Sequence, residues 1–440
     1  MSNRTLQLPS TFRALRNRNF QLFFSGQFIS LIGTWMETIG ESWLVYRLTG
    51  SSVLLGAVGF ANQIPVFLLA PLGGIVADRY SRRHVVIATQ FASMLLALTL
   101  SALTLTGIVR IWHLFVIAAL FGVVNAFDIP ARQAFLVDMV GRADLINAIA
   151  LNSSMFNGAR IVGPAIAGIL VAAIGEGWCF FGNGVSYIAV IAGLMMMRVA
   201  RHEVAPGSGS PLSSIIEGFR FVSRNPPIYS LLILLGVLSL TGMPFSVLMP
   251  IFADQILHGG ARGLGLLMGA SGVGALAGAL LLATRHGVRG LGRWVAISAT
   301  GFGASLIVFA ISRSFWLSCL ALVPIGFSMM IEMGSSNTLI QTMSPDALRG
   351  RVMSVYSMMF MGMAPIGALL AGAVAERWGA PFTVGVGGVI CILAAGIFWM
   401  RLPALRAPAR ELIVAQQLAG GDPPQELTGS GIAVEPSPEE

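Results

Sequence analysis

Three ionisable residues lie inside long apolar stretches of the sequence, where a charge is costly and usually has a function. Glu37 and Glu41 are one helical turn apart, so their side chains share one face of a helix. Arg160 lies in a later apolar stretch that would run in the same direction. We therefore expect Glu37 and Arg160 to face a common cavity, paired directly or through water, with Glu37 exchanging a proton for cargo. A purely structural ion pair is the alternative, and Glu41 could lie at the outer interface.

Uncharged side chains close to these positions indicate what such a cavity would bind. The further candidates are Asn152, Phe156, Asn157, Tyr356 and Met359. Methionine and aromatic side chains form adaptable apolar surfaces, and amides can orient a ligand. This combination favours amphiphilic or aromatic cargo over sugars or simple ions, although helix packing or lipid contact would need the same side chains.

The composition indicates that lipid is the main solvent of this chain. Of its 440 residues, 55% are hydrophobic and 10% are charged, whereas a soluble protein carries about a quarter charged residues. The basic residues are all Arg and are spread in small groups, so the net charge of +8 does not indicate a nucleic-acid partner. Neither the three Cys nor the five His residues have metal-ligand spacing, and we expect no metal or cofactor.

Twelve apolar stretches are long enough to cross a bilayer, and in lipid they must be helices. They cover residues 20–46, 53–77, 85–105, 111–127, 147–174, 178–197, 228–254, 263–284, 294–311, 315–333, 352–375 and 381–400. With the N-terminus in the cytoplasm, only Arg47, Arg110, Arg262, Arg313 and Arg377 fall outside, and Arg160 falls within a span. This bias predicts a multi-pass membrane protein with both termini in the cytoplasm.

Five segments follow from this division of the chain. Residues 1–19 form a cytoplasmic N-terminus, 20–197 a first group of six spans and 228–400 a second group. Residues 198–227 form a cytoplasmic linker with an amphipathic segment, which suits a helix on the membrane surface. Residues 401–440 are rich in Pro, Gly and acidic side chains and are expected to be a disordered cytoplasmic tail.

The two groups of six spans match each other at a constant shift of 204 residues. Gly74 falls on Gly278, Trp112 on Trp316, and Asp128 on Glu332. A single shift that holds from the second to the twelfth span predicts an all-α membrane protein, with twelve helices in two pseudo-symmetric six-helix bundles. Parallel halves of this kind rock around a site that lies between them.

A short loop after the second span carries a family resemblance. The chain reads Gly74-Ile-Val-Ala-Asp78-Arg79-Tyr-Ser-Arg82-Arg83, which resembles the signature loop between helices 2 and 3 of the major facilitator superfamily. Gly74 would permit close helix approach, and the Asp78 carboxylate could interact with Arg or with a helix N-terminus. The resemblance implies that this cluster latches the cytoplasmic side shut in one state. Positive-inside charge alone is the alternative.

Longer stretches narrow the resemblance to one branch of the superfamily. Residues 127–133 (Phe-Asp-Ile-Pro-Ala-Arg-Gln) and 345–351 (Pro-Asp-Ala-Leu-Arg-Gly-Arg) look like the bacterial exporter branch that includes the enterobactin exporter and macrolide-type efflux proteins. The resemblance covers nearly the whole chain. It implies alternating access and export of a small-molecule substrate driven by a proton gradient, by a protein of the bacterial inner (plasma) membrane that is not an enzyme.

Two further groups of residues are candidates for moving parts. Gly158, Gly163, Pro164 and Gly168 in the fifth span resemble the antiporter motif of drug exporters, and general helix packing is the alternative reading. Asp128 and Glu332 occupy equivalent span ends, where they could pair with Arg in neighbouring loops as gates or remain solvated. Drug–proton antiporters usually have an Arg within the fourth span, but here Arg110 lies at its outer end. The form of proton coupling is therefore left open.

Other functions are compatible with the same fold. A facilitator-type importer of nutrients would share it, as would a receptor or a lipid-handling membrane protein. We expect a monomer in the bilayer. The sequence names no periplasmic or outer-membrane partner and no particular substrate.

Overall fold

The computed structural model describes residues 10–197, 211–285 and 287–419, and this part of the chain is helical without strands. A short 3₁₀ helix (Ser10–Arg16) precedes twelve long helices, and a linker helix (Pro211–Arg224) lies between the sixth and the seventh. The long helices are α1 (Arg18–Thr49), α2 (Ser52–Arg79), α3 (Arg82–Leu105), α4 (Ile111–Gly141), α5 (Asn147–Ile174), α6 (Glu176–Met196), α7 (Pro226–Ile256), α8 (Gly260–Ala283), α9 (Leu291–Ile311), α10 (Phe315–Met343), α11 (Asp346–Trp378) and α12 (Ala380–Ala419).

Eleven of these helices, α2 to α12, are long and apolar enough to cross a membrane. Helix α1 has 32 residues and is long enough, but Glu37, Glu41 and several neutral polar side chains make it less apolar. It packs against α5 and α6 along its length. A twelfth crossing by α1 therefore remains a prediction.

Glycines bring α1 and α6 into close contact. Gly26, Gly33 and Gly40 recur every seven residues, so they form one stripe along α1. A Cβ atom added to Gly33 would lie 2.5 Å from Asn183 Oδ1, and one added to Gly26 would lie 3.0 Å from the Ala189 carbonyl oxygen. This stripe sets the rotation of α1 and directs the neighbouring Glu37 towards α6.

Helices α1–α6 pack mainly on one another, and so do α7–α12. Two helix pairs join these halves extensively, namely α5 with α8 and α2 with α11. Helices α7 and α11 contain π-helical turns at Leu238–Gly242, Phe252–Ile256 and Met358–Gly362. Such turns distort the regular hydrogen-bond ladder and often mark functional segments of helices.

The predicted disorder of the tail is wrong for residues 401–419, where α12 continues as a helix. Leu402 and Ile413 are buried, and Leu405 and Ala409 pack on the same core. These residues recur at three- and four-residue spacing and so form one apolar face, which stabilises the helix despite the prolines. Residues 420–440 lie outside the described part of the chain.

The predicted amphipathic linker contains the helix Pro211–Arg224, while residues 198–210 lie outside the described part. Val222 is buried, and Gly218 lies against the backbone of Arg351 at the start of α11. Ile216 and Phe219 are exposed. That exposure suits contact with a membrane surface, which remains a prediction.

Candidate transport pathway

A cavity of about 630 Å³ opens between α2, α4 and α11. It lies at the end of the helices where α1 begins, which is the predicted cytoplasmic end. Its wall is mainly apolar, with Phe67, Ile129 and Met358 among the larger side chains. We call it the inner cavity. The neutral polar side chains on the wall are Asn125, Gln133, Ser354 and Ser357, and the charged one is Arg351.

At the opposite end, backbone contacts close the space between the two halves. A Cβ atom added to Gly265 of α8 would lie 2.4 Å from the Pro164 carbonyl oxygen of α5. One added to Gly56 of α2 would lie 2.3 Å from the Ala368 carbonyl oxygen of α11. Gly168, from the predicted antiporter-like group, lies against Gly265. We call the α5–α8 and α2–α11 contacts the outer seam.

Two carboxylates join the halves by hydrogen bonds at this same end. Glu376 Oε2, near the end of α11, accepts from the Ser52 amide at 2.9 Å, the Ser52 hydroxyl at 2.8 Å and the Ser51 hydroxyl at 3.1 Å. A carboxylate from one half thus occupies the N-terminus of α2 in the other, where free amides and the helix dipole favour negative charge. Tyr46 Oη donates to Asp254 Oδ2 at 2.7 Å.

Glu37 is buried against α6, where Asn183 Nδ2 donates a hydrogen bond to its Oε2 atom. Its other oxygen, Oε1, is buried and has no hydrogen-bond partner among the described residues, and the same holds for Oε1 of Glu41. The predicted direct pairing of Glu37 with Arg160 is not formed. The reason is helix rotation, since the Gly33 side of α1 faces α6 while α5 meets α1 at Trp35.

Arg160 lies instead in an aromatic cluster between α1 and α5. Its guanidinium carbon is 5.7 Å from the centroid of the Trp35 ring, within cation–π range. Phe156 packs edge-on to the same ring at 5.7 Å, and 45% of it is exposed. The Arg160 backbone also touches α8, because a Cβ atom on Gly272 would lie 3.0 Å from its carbonyl oxygen. Arg160 thus borders the seam between the halves.

The remaining predicted cavity residues do not line the inner cavity. Asn157 is buried with Oδ1 unpartnered, and Asn152 is half-buried on the same helix. Tyr356 Oη donates to the Met333 carbonyl at 3.2 Å, and Met359 packs near Gly236 of α7. Met353, Met358 and Met361 of α11 line the cavity in their place. Helix α11 does line the cavity, but with the face that carries Ser354, Ser357 and Met361, and Tyr356 and Met359 lie off that face.

Among the described residues, the ion pair and hydrogen bonds of Arg82 and Arg83 in the predicted latch loop stay within their own half. Arg82 pairs with Asp138 at 2.9 Å, and Arg83 Nη2 donates to the Met195 carbonyl at 2.9 Å. Asp78 and Arg79 are exposed, and Asp78 makes no hydrogen bond or ion pair to a described residue. A latch between halves is therefore not engaged in this conformation.

The predicted close helix approach occurs one residue earlier than expected. A Cβ atom on Gly74 would meet nothing within 4 Å, since Gly74 lines the inner cavity. One on Gly73 would lie 2.0 Å from the Ala126 carbonyl oxygen of α4.

Asp128 and Glu332 are buried, which rules out the alternative that they are solvated end charges. Asp128 accepts from Thr89 at 2.8 Å and from Gln90 at 3.0 Å, and Arg132 on its own helix pairs with it at 3.1 Å. Glu332 accepts from Ser336 at 3.0 Å. Neither pairs with an Arg from a neighbouring loop in the described part of the chain, because both side chains point into their own bundles.

Sequence reasoning missed two residues, Asn183 and Glu376. Asn183 is a polar residue within an apolar stretch, which was a usable signal. Glu376 follows a predicted span, and Ser51-Ser52 opens another. Nothing in the sequence indicates that they meet.

Two helical halves, a cavity at one end and a closed seam at the other define a membrane transporter. The transmembrane secretion effector family matches residues 9–420, and the chain belongs to this family of major facilitator transporters. Its members are transporters, which confirms that this chain is not an enzyme.

Curated relatives cover most of the chain. It is 27% identical over 382 residues to the staphyloferrin A transporter of Staphylococcus aureus, spanning 86% of this chain and 94% of that protein. It is 29% identical over 397 residues to the multidrug efflux pump Tap of Mycolicibacterium fortuitum, spanning 85% and 93%. It is 24% identical over 388 residues to the enterobactin exporter EntS of Citrobacter koseri, spanning 88% and 92%.

Solved structures share the fold at low identity. A POT family transporter in complex with a thioalcohol-conjugated peptide superposes with a TM-score of 0.72 at 11% identity, covering 88% of this chain and 97% of that one. A bacterial homologue of the iron transporter ferroportin in an inward-facing state gives 0.68 at 17% identity, covering 87% and 98%. These likenesses concern the fold alone.

Proposed function

We propose that this protein exports small amphiphilic organic molecules across a bacterial inner membrane by alternating access. The observation that carries the proposal is the combination of an inner cavity at one end and a closed seam at the other. Such an arrangement admits a solute from one side only. The names of the relatives, which include a multidrug efflux pump and an enterobactin exporter, support export.

The alternation uses the two ends of the α2–α11 pair. In the conformation described, Glu376 of α11 occupies the N-terminus of α2 and holds the outer end closed. Asp78, at the other end of α2, is without such a partner. We propose that Asp78 takes the equivalent place at the N-terminus of α11 when the inner end closes. The two carboxylates would then stabilise opposite conformations of one helix pair.

Glu37 is the proposed site of proton exchange. It is buried, and its hydrogen-bond partner Asn183 is neutral rather than a fixed cation. Glu41 lies one turn further along α1 with an unpartnered buried oxygen, which provides a second position for a proton. A proton gradient can then favour one conformation over the other if protons reach Glu37 from opposite sides of the membrane in the two conformations.

The experiment is transport in everted membrane vesicles that contain the full chain and carry an imposed pH gradient. Fluorescent dyes and siderophores are offered as cargo. Accumulation that collapses with the gradient supports proton-driven export. Accumulation only in right-side-out vesicles would instead establish the facilitator-type importer. Absence of movement for every compound in both preparations would contradict transport of this cargo class.

A further inference from the structure

The charge of the inner cavity has a consequence for the kind of cargo it accepts, given the export proposed above. Arg351 is the one ionisable side chain on the wall of this cavity among the described residues. The rest of the wall is apolar or neutral, so a bound ion would meet a cation and no carboxylate.

The carboxylates of α2 and α4 near this cavity do not line its wall: Asp78, one turn beyond Gly74, is exposed outside the lining, and the two on α4 are engaged in ion pairs. Asp128, next to the wall residue Ile129, is buried and accepts hydrogen bonds from Thr89 and Gln90 in addition to its ion pair with Arg132. Asp138, further along α4, pairs with Arg82. A cationic solute in the cavity would therefore lose its hydration without gaining a counter-ion, which is unfavourable.

Arg351 has a partner that can be exchanged. Its Nη1 atom contacts Glu217 Oε2 of the linker helix. The two side chains are 37% and 47% exposed, and pairs this exposed are weak because water screens them. A Cβ atom on the adjacent Gly218 would lie 2.7 Å from the Arg351 carbonyl oxygen, so close packing holds the linker helix beside Arg351.

We propose that the inner cavity binds amphiphilic anions, with the anionic group displacing Glu217 from Arg351. The apolar part of the ligand lies against Phe67, Ile129 and Met358. Glu217 acts as an internal competitor that keeps Arg351 occupied when the cavity is empty. A solute without a strong anionic group does not displace Glu217 and gains nothing from Arg351.

Binding can be tested on the full chain in lipid nanodiscs by fluorescence anisotropy. The probes are fluorescein, an anion, and rhodamine 123, a cation built on the same ring system. We expect fluorescein to bind about tenfold more tightly than rhodamine 123, since hydrogen bonds to charged groups are the stronger kind. Equal affinity for both dyes, or preference for rhodamine 123, would overturn the proposal.

Variants of Arg351 and Glu217 test whether this ion pair causes the preference for the anionic dye. Arg351→Gln should weaken fluorescein binding about tenfold and leave rhodamine 123 binding unchanged. Glu217→Gln should tighten fluorescein binding roughly two- to fivefold, because it removes a weak competitor. Tighter fluorescein binding by Glu217→Gln cannot result from misfolding, because a misfolded protein would bind the dye more weakly. Arg349→Gln is the matched control, since Arg349 pairs with Asp346 and does not line the cavity. No gain in Glu217→Gln, or equal loss in Arg349→Gln, contradicts the proposal.

The transport assay separates this inference from the proposed function. Export of rhodamine 123 but not of fluorescein would support the proposed exporter function and refute the anion preference. If fluorescein binding depends on Arg351 but no compound is transported, the proposed exporter function is refuted and the proposed anion-binding site is retained.

Discussion

At the scale of single residues, Glu37 differs most between expectation and structure. Its burial in the first span follows from its position in the sequence. Its partner does not, because Asn183 is 146 residues away and the contact depends on how α1 is rotated against α6. The glycine stripe of α1 sets that rotation, and its effect becomes visible only once the helices are packed.

Replacing Glu37 with Gln tests its role in coupling. Gln has the same size and can still accept a hydrogen bond from Asn183, so the fold should be retained. We expect proton-driven accumulation to be lost while cargo still equilibrates down its own gradient. The measurement is uptake into everted vesicles with and without a pH gradient, with Glu41→Gln as the neighbouring comparison. Full gradient-driven accumulation by Glu37→Gln would remove Glu37 from the mechanism.

Glu376 offers a second test at this scale. Glu376→Ala removes the carboxylate that lies at the N-terminus of α2, and a negative charge at a helix N-terminus contributes up to about 1 kcal/mol. The outer-closed conformation should lose population by up to about fivefold relative to the outer-open one. Distances between spin labels across the outer end would report this shift. Glu376→Gln keeps an acceptor oxygen and should show a smaller change, whereas identical distance distributions for Glu376→Ala and the parent protein would contradict this role of Glu376.

At the scale of elements, the helices follow from the sequence more closely than the contacts between them. Apolar length predicts most span ends to within a few residues, because the bilayer thickness sets the length of a spanning helix. The largest exceptions are α4, α10 and α12, which continue to Gly141, Met343 and Ala419, well past the predicted ends at 127, 333 and 400. The apolar pattern does not give the rotation of α11, so the face with Ser354, Ser357 and Met361 lines the cavity in place of the predicted Tyr356 and Met359. Residues 401–419 were judged together with the Pro-, Gly- and acid-rich remainder of the tail, while their own apolar face was overlooked.

The outer seam allows a prediction with a control on the same helix. Gly265→Ala would place its Cβ atom 2.4 Å from the Pro164 carbonyl oxygen, so α5 and α8 must separate. Gly269→Ala would place its Cβ atom 3.7 Å from the Ile161 carbonyl oxygen, which is an ordinary contact. We expect Gly265→Ala to favour the outer-open conformation and Gly269→Ala to leave it unchanged. Cysteine labelling from the outer side measures the difference, and equal labelling of both variants would contradict the seam.

At the scale of the whole molecule, the repeat at a shift of 204 residues predicted two related halves, and the family match agrees. Which end is open could not be read from the sequence, since both conformations satisfy the same hydrophobic pattern. The direction of the chain in the membrane rests on Arg placement alone.

Orientation can be checked with a single cysteine. Ser354 lines the inner cavity, so Ser354→Cys in a background without the three native cysteines should react with a membrane-impermeant maleimide in everted vesicles. Right-side-out vesicles should protect it. Preferential labelling in right-side-out vesicles would reverse the predicted topology and, with it, the proposed direction of transport.

The two ends of this transporter also differ in how freely they can change over evolutionary time. Much of the outer closure consists of main-chain atoms brought together by glycine, so larger residues at Gly56 or Gly265 would open a leak. The wall of the inner cavity is formed mainly by side chains. Cargo range can therefore drift by exchanging a few residues of α2, α4 and α11, and laboratory selection for new cargo should accumulate its changes there.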